Sequence, residues 1–419
     1  VSVQQPHILV ITDFFFPDST GGANKMAYFT SRGLAASGFN ISIITRKIHA
    51  GLPDTGLIEQ MRVFRYRHSG SCPPANFLNL RNSIRNLQHS LSSDAKNRFD
   101  LVIVHQPFIA AMLRHKHIVR DVPWLYNFHS SWGEEYCIKK TGTDRPCALK
   151  SPHIRLGQLT LNAIEKSVLR RCGKIIVLSR FMQDRLESIH GLSQKSVIIP
   201  GGVDARRYLP APGKKALRAK LKLPGDRIIL FTVRNMRQRM GLPNLIAAMA
   251  ELKDEMNDLF LVIAGKGELE HDLKALAGRL DLDKHIFFTG FVPEERLPQF
   301  YQAADIFILP TEQLEGFGLV TLEALSSGLP VLGTPVGATP EILTRIGKEW
   351  LTASSGTRDL VRSIKERVRF VQQDSEAYQT VCHKCRQLIE AKYTWQHINR
   401  SWHSICQSII ETAAGSRLK

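Results

Sequence analysis

Short apolar runs recur along the chain, separated by segments long enough to hold a helix. In the first half they are "HILVIT" (7–12), "NISIIT" (40–45), "MRVFRY" (61–66), "DLVIVH" (100–105), "PWLYNFH" (123–129), "KIIVLS" (174–179) and "SVIIP" (196–200). Most are continuous rather than alternating, as strands buried on both faces are. Between them, helical patterns predict helices over 25–37 and 159–171. The alternation restarts near Arg227 with "IILFTV" (228–233), "LFLVIA" (259–264), "HIFFTG" (285–290), "DIFILP" (305–310) and "PVLGT" (330–334), flanking helices near 243–253, 268–280 and 318–327. Such alternation predicts parallel sheets covered on both faces, and two series of it predict an α/β protein of two Rossmann-like domains. The last part of the chain turns helical, over 357–372, 375–391 and 395–412. A turn-rich strand exit, Pro200-Gly201-Gly202-Val203-Asp204, and the Lys-rich stretch after it (Lys214, Lys215, Arg218, Lys220, Lys222) mark the join. The expected domains are 1–202 and 203–394.

Length agrees with that division, because 419 residues exceed one ordinary core. No apolar run approaches the roughly 18–20 residues that span a bilayer. The opening residues read as a strand and lack the basic segment and small-residue cleavage site of a signal peptide. Seven cysteines, an odd and sparse count, point to a reducing cytosol and away from a disulfide framework. Cys382-His383-Lys384-Cys385 is a lone CxxC in a helical stretch, without the second pair that a zinc site would need. Two helix residues with no shared task is the better reading.

The net charge of +18 is unevenly placed. Residues 1–200 hold 26 Lys and Arg against 13 Asp and Glu, and the remainder holds 30 against 25. A basic first half suits a phosphate-bearing substrate or an anionic membrane surface, and equally suits a merely basic soluble surface. Nucleic acid is the least favoured partner and none is expected, since no recognisable binding module accompanies the charge. "FLNLRNSIRNLQHSL" sets Phe77, Leu80, Ile84, Leu87 and Leu91 at helical spacing with Arg81 and Arg85 between them. It reads as a core-facing helix or as one that rests on an anionic membrane. The stretch 133–152, with Cys137 and Cys147, lacks periodicity and is expected to be a loop.

In open α/β sheets ligands bind beyond the carboxyl ends of the strands, so the chemistry belongs at strand-to-helix turns. Gly21-Gly22 is the first such turn: a plain tight turn, or a close backbone approach to an anion at a helix start. His129, followed by Ser130, Ser131 and Trp132, lies past a strand end, either as a core histidine or as a ligand-facing hydrogen-bond donor. Arg234, Arg237 and Arg239 crowd the first turn of the second series, as a surface cluster or as guanidinium forks for a diphosphate. Gly265, Gly267 and the "TGFVP" turn (289–293) carry little weight by themselves.

The stretch "EGFGLVTLE" carries more. Glu315 precedes a helix and Glu323 lies on it, where 100° per residue lets it share one side with the helix entrance. Gly316 and Gly318 let backbone N–H groups face a ligand, and the helix start offers its positive end to phosphate. The layout suits a ligand with hydroxyls at both ends and phosphates between them, which is the shape of a nucleotide sugar.

With this motif the sequence resembles the retaining glycosyltransferases of family 4, the group 1 glycosyltransferases with the GT-B fold. The resemblance covers nearly the whole chain and is strongest over 227–343. It implies two Rossmann-like domains facing a central cleft, the first binding an acceptor and the second a nucleotide sugar, with a C-terminal helix (395–419) packing back on the first domain. It implies that Glu323 binds ribose hydroxyls and Glu315 the donor sugar, with backbone contacts from Gly316, Phe317, Gly318 and Leu319. Arg234 matches a diphosphate-binding arginine, Gly22 a glycine that approaches diphosphate and sugar, and His129 a histidine that contacts the transferred sugar. The chain departs from the family at Met240, where many members have Lys; Arg239 or Arg237 would supply that charge.

The resemblance further implies transfer with retention by front-face attack, the leaving phosphate taking the acceptor proton. Neither a cofactor nor an essential metal is expected, the donor (a UDP- or GDP-sugar) being a substrate. The arginines can act as the cation. The acceptor would be a sugar or lipid-linked precursor in glycan, glycolipid or polysaccharide biosynthesis, handled in the cytoplasm or at the inner face of the membrane. Alternatives are a soluble small-molecule acceptor, a nucleotide-sugar epimerase or hydrolase on the same fold, and a silent sugar-nucleotide binder.

Overall fold

The computed structural model describes residues 5–67, 83, 98–141 and 151–417. The chain divides into two units. Val1–Tyr136, Ala148–Pro200 and Trp395–Lys419 form the first, and Cys137–Cys147 with Gly201–Thr394 form the second.

The first unit is built on β1 (His7–Ile11), β2 (Asn40–Arg46), β3 (Thr55–Ile58), β4 (Met61–Tyr66), β5 (Leu101–Val104), β6 (Trp124–Phe128), β7 (Lys174–Val177) and β8 (Ser196–Ile198). Their order is β3-β4-β2-β1-β5-β6-β7-β8. Every pairing is parallel except β3 with β4. β3 has no counterpart among the predicted strands. Its four residues, "TGLI", include a glycine and only two apolar side chains, and Leu57 stays 70% exposed. All of β1, β5 and β6 are buried, as their continuous apolar runs require.

The second unit has β9 (Ile228–Val233), β10 (Leu259–Ala264), β11 (Ile286–Gly290), β12 (Ile306–Leu309) and β13 (Val331–Gly333), all parallel, in the order β11-β10-β9-β12-β13. In each sheet the winding reverses once. The reversal falls between β1 and β5 in the first and between β9 and β12 in the second, and loops leaving such neighbours open a crevice.

The C-terminal helix Trp395–Arg417 lies against the helix Gly22–Ala36 in the first unit. Phe29 stacks on Trp395 with ring centroids 5.0 Å apart. The missing side chain of Gly33 leaves room for Asn399.

Three expectations need correction. The stretch after Trp132 is not all loop: Trp132–Thr141 is helical, and a second helix runs over Pro152–Arg171, starting before the predicted 159. Weak periodicity hid the first, and its many half-exposed positions hid the start of the second. Cys137 is disulfide-bonded, which departs from the free thiols of a reducing compartment, although one bridge is no framework. Cys172, Cys382, Cys385 and Cys406 are free, and burial raises the pKa of both CxxC thiols, against a redox role. The segment 77–91 lies outside the described residues. Among the described residues no helix is long and apolar enough to cross a membrane.

One buried ionic cluster ties the start of the second unit to its sheet. Asp305, just before β12, accepts from Arg218 Nη2 at 2.6 Å, Lys214 Nζ at 2.8 Å and the Ile229 N–H at 2.8 Å. Arg218 also donates to the carbonyls of Ala303, Gly225 and Arg227. Removing the carboxylate would strand a buried guanidinium. Asp305→Ala is therefore expected to lower unfolding free energy by about 3–5 kcal/mol in urea titrations; a loss near zero would remove the cluster from the list of what holds this unit.

Candidate active site

The crevice between β9 and β12 gathers charged residues that follow these two strands. Arg234 follows β9, and Thr311 and Glu315 follow β12. Arg234 Nη2 donates to Glu315 Oε2 at 2.6 Å and to Thr311 Oγ1 at 2.9 Å, and lies 2.8 Å from Met240 Sδ. Thr311 Oγ1 also donates to Glu315 Oε2, at 3.1 Å. The ion pair is nearly sealed: the two side chains are 7% and 11% exposed. Arg234 Nε is buried without a hydrogen-bond partner. Arg239 Nη1 donates to the Leu314 carbonyl at 2.8 Å, and its own carbonyl accepts from the Glu312 N–H, so this arginine braces the loop that carries Glu315.

Two glycines make the close loop packing possible. Gly241, at φ +70°, lies where a Cβ would strike the Pro310 carbonyl, and Gly337, at φ +62°, lies where one would strike the carbonyl of Glu315. Both backbones adopt the left-handed conformation that side chains disfavour. The Ala338 N–H then donates to the Glu315 carbonyl at 2.8 Å.

Gly316, Phe317 and Gly318 lead into the helix Leu319–Ser326, whose first turn has no side-chain cap. Phe317 and Leu319 turn their side chains against Gly201, and Phe317 also meets the Tyr393 ring at 6.1 Å. These anchors leave the backbone of the turn as its chemical face. Glu323 is 4% exposed and accepts from the Tyr301 hydroxyl at 2.8 Å. Arg386 donates to the Ser326 carbonyl at the other end of the helix, where a cation complements the dipole.

In the first unit Gly22 opens the helix Gly22–Ala36, again with no side-chain cap. His129, just past β6, is half-buried, and its Nε2 lies 3.0 Å from His105 Nδ1, past β5. Burial pushes the His129 pKa down to about 4, and it pushes His105 well below the usual imidazole range, with help from His129. Beside them, past β1, burial pushes the Asp13 carboxyl up to about 6, against the pull of the Tyr66 hydrogen bond and the Arg46 charge. Tyr66 donates to Asp13 Oδ1 at 2.9 Å. The turn after His129 is fixed from behind. Glu165, fully buried, accepts from the Trp132 N–H at 3.1 Å and from the Tyr126 hydroxyl at 3.1 Å, with His190 Nε2 at 3.0 Å.

Within the second unit the structure therefore brings Arg234, Arg239, Glu315, Gly316, Phe317 and Gly318 together, with Leu319 and Glu323 on the adjoining helix. Gly22 and His129 stand at strand ends of the first unit. Sequence reading missed Thr311, Tyr301, His105 and Asp13. The available signal was position alone, since Thr311, Asp13 and His105 each directly follow or end an apolar run. Tyr301 had none, being one aromatic residue among several in its helix.

Residues 213–380 match the family model for glycosyl transferases group 1, and residues 20–207 match that for glycosyltransferase family 4. A GDP-mannose-dependent alpha-(1-6)-phosphatidylinositol monomannoside mannosyltransferase of Mycolicibacterium smegmatis is 32% identical over 42% of this chain and 49% of its own length. The chain thus spans about half the length of that relative. An uncharacterized glycosyltransferase of Methanocaldococcus jannaschii, MJ1607, is 24% identical over 96% of this chain and 98% of its own. Among solved structures, sucrose-phosphate synthase from Thermosynechococcus elongatus superposes with a TM-score of 0.78 at 22% identity, covering 97% of this chain and 100% of that one. Anabaena HepE in complex with UDP and glucose gives 0.74 at 16% identity, covering 96% and 100%. With the fold matched along the whole chain and both halves matched by family models, the chain belongs to the group 1 glycosyltransferases of family 4, with the GT-B fold.

Proposed function

We propose that the chain transfers a sugar, of hexosyl type, from a nucleotide-sugar donor to an acceptor hydroxyl, with retention of anomeric configuration. The donor is assigned to the second unit and the acceptor to the first. The observation that carries the reading is the loop Glu315–Gly318 at the β9/β12 crevice, with Arg234 against Glu315 and a helix start directly behind. Arg234 and the N–H groups of that turn supply positive potential for a leaving diphosphate, held in place before reaction. Glu315 meets the sugar and Glu323 the ribose. Two carboxylates in the usual glycosidase roles are not available, because Glu323 is committed to the ribose. The leaving phosphate is therefore the proton acceptor, and no divalent metal is required, since guanidinium and helix dipole supply the charge.

A GDP- or UDP-sugar is the donor we favour. The mycobacterial relative is named as GDP-mannose-dependent, and HepE has been crystallised with UDP-glucose. The acceptor is a sugar or lipid-linked hydroxyl in glycan, glycolipid or polysaccharide synthesis, and peripheral attachment to an anionic cytoplasmic membrane face belongs to this reading. Its test is a panel of nucleotide sugars scored by thermal stabilisation, followed by turnover with and without acceptor in EDTA. A transferase releases nucleotide mainly when acceptor is present, and NMR of the product shows the donor's anomeric configuration. Sugar interconversion without acceptor would make it an epimerase, an inverted product would end the retention proposal, and turnover lost in EDTA but restored by magnesium or manganese would end the metal-free one.

Two carboxylate variants separate the roles. Glu315→Gln is expected to lower kcat by about 10²-fold, the scale of one lost electrostatic contact in a transition state. Glu323→Ala is expected to weaken donor binding by roughly 1–3 kcal/mol with less effect on kcat. Unchanged kinetics in both variants would defeat the assignment.

His129 enters as an uncharged hydrogen-bonding group for a sugar hydroxyl. Its depressed pKa means that the unfolded chain binds its proton first on acidification. Its stability contribution is therefore present above about pH 6.5 and is lost as pH falls towards about 4. Asp13 acts oppositely as its pKa rises from 3.8 to about 6, so total stability hides the histidine. The difference between wild type and His129→Asn isolates it. That difference is expected to grow with pH through the window and flatten above it, and NMR of the histidine ring carbons should place the transition near pH 4. Titration near pH 6.5 would remove the neutral-histidine role.

A further inference from the structure

Glu323 is a carboxylate almost wholly withdrawn from water, and a ligand can use it only if it points one way. Its orientation is set from the side opposite the helix that carries it. Tyr301, on the helix Leu297–Ala303, is 1% exposed and donates its hydroxyl to Glu323 Oε2 at 2.8 Å. That phenol has little freedom to move. Its ring packs edge-to-face on Phe231 at 5.2 Å and on Tyr208 at 5.6 Å, and against Phe307 at 5.5 Å. Burial first, and the Glu323 charge second, hold the Tyr301 hydroxyl far above its ordinary pKa, so it remains a donor. Tyr208 flanks the same carboxylate and is 4% exposed; burial, with help from Glu323, holds its hydroxyl protonated, but the hydroxyl makes no close hydrogen bond such as that of Tyr301. Two buried phenols thus stand beside one carboxylate, and only Tyr301 donates to it at close range.

We propose that Tyr301 is a positioning residue for nucleotide recognition: its hydroxyl anchors Oε2 of Glu323 so that the carboxylate meets a pair of vicinal ribose hydroxyls in one fixed orientation. The inference rests on the reading of Glu323 as the ribose-binding group. Tyr301 itself touches no part of the donor. It acts on the geometry of Glu323, and what depends on it is the preference for a nucleotide with an intact diol.

The test measures that preference directly. UDP and GDP, with their 2′,3′-dideoxy counterparts, are titrated calorimetrically into the full chain, and the ratio of the two Kd values is taken for the base that binds. Wild type is expected to prefer the ribonucleotide by about tenfold or more, as loss of hydrogen bonds to a charged group implies. Tyr301→Phe keeps the ring and its packing. It is expected to bring the ratio close to one, to raise KM for donor and to leave kcat near wild type, with the thermal midpoint little changed. Tyr208→Phe removes the more distant hydroxyl beside the same carboxylate and is expected to keep the wild-type ratio.

A Tyr301→Phe protein that still prefers the ribonucleotide as strongly as wild type overturns the proposal while leaving Glu323 as the ribose group. Equal loss of preference in both tyrosine variants also overturns it, because the effect would then belong to the pocket and not to this bond. Wild type that binds both nucleotide forms alike, or Glu323→Ala that keeps the preference, overturns the reading of Glu323 and the inference with it.

Discussion

Everything chemical in the second unit depends on one ion pair that crosses the point where the sheet reverses its winding. Arg234 and Glu315 are 81 residues apart in sequence and 2.6 Å apart in space. Sheet order brings them together, because β9 lies beside β12 and not beside its successor in that direction. Once the strands are adjacent, the loops leaving them share one crevice, and opposite charges in a crevice with little water attract strongly. Thr311, Met240, Arg239 and the two left-handed glycines each restrict the loops around that pair. A side chain at Gly241 or Gly337 would push the loops apart at backbone level, and the pair would lose its geometry before either charged residue was altered.

The sheet architecture was largely legible, and the reason is physical. Strands buried on both faces leave continuous apolar runs, and these mark twelve of the thirteen strands among the described residues. The exception, β3, pairs antiparallel at the rim, where half its side chains face water and no run survives. The glutamate motif was legible because its parts are local: a loop, a helix start and a carboxylate further along the same helix. What could not be read were partnerships between strand ends. His105 and His129 lie 24 residues apart, and nothing in either neighbourhood signals the other. Tyr301 was illegible for a similar reason, since its hydroxyl partner sits across a strand and a loop. The helix Trp132–Thr141 is hidden by its weak amphipathicity, and the Cys137 bridge by the fact that counting cysteines cannot detect one bridge.

The strand-end clusters of the two units differ in electrical character. The first half of the chain carries most of the excess positive charge, yet the histidines of its cluster past β1, β5 and β6 are kept uncharged. Burial keeps His105 and His129 neutral and shifts Asp13 towards its protonated form. Groups of this kind recognise hydroxyls by direction, with little long-range field. The second unit instead concentrates a guanidinium, two carboxylates and an uncapped helix start, which under the proposed function would recognise charge first. Basic residues elsewhere on the first unit supply attraction at a distance, which falls away over about a Debye length in salt.

The resting ion pair also constrains what can bind. An anion that engages the remaining donors of Arg234 comes to rest beside the Glu315 carboxylate, and like charges in a buried crevice cost free energy. A bare phosphate would add a second negative charge beside it and increase that cost. The loss is recovered only if the same ligand brings hydroxyl donors to Glu315 while its phosphate occupies Arg234. A sugar joined directly to a phosphate does both at once. On the proposed reading the ion pair would therefore disfavour simple anions through the carboxylate beside it, with no contact beyond those already present in the crevice.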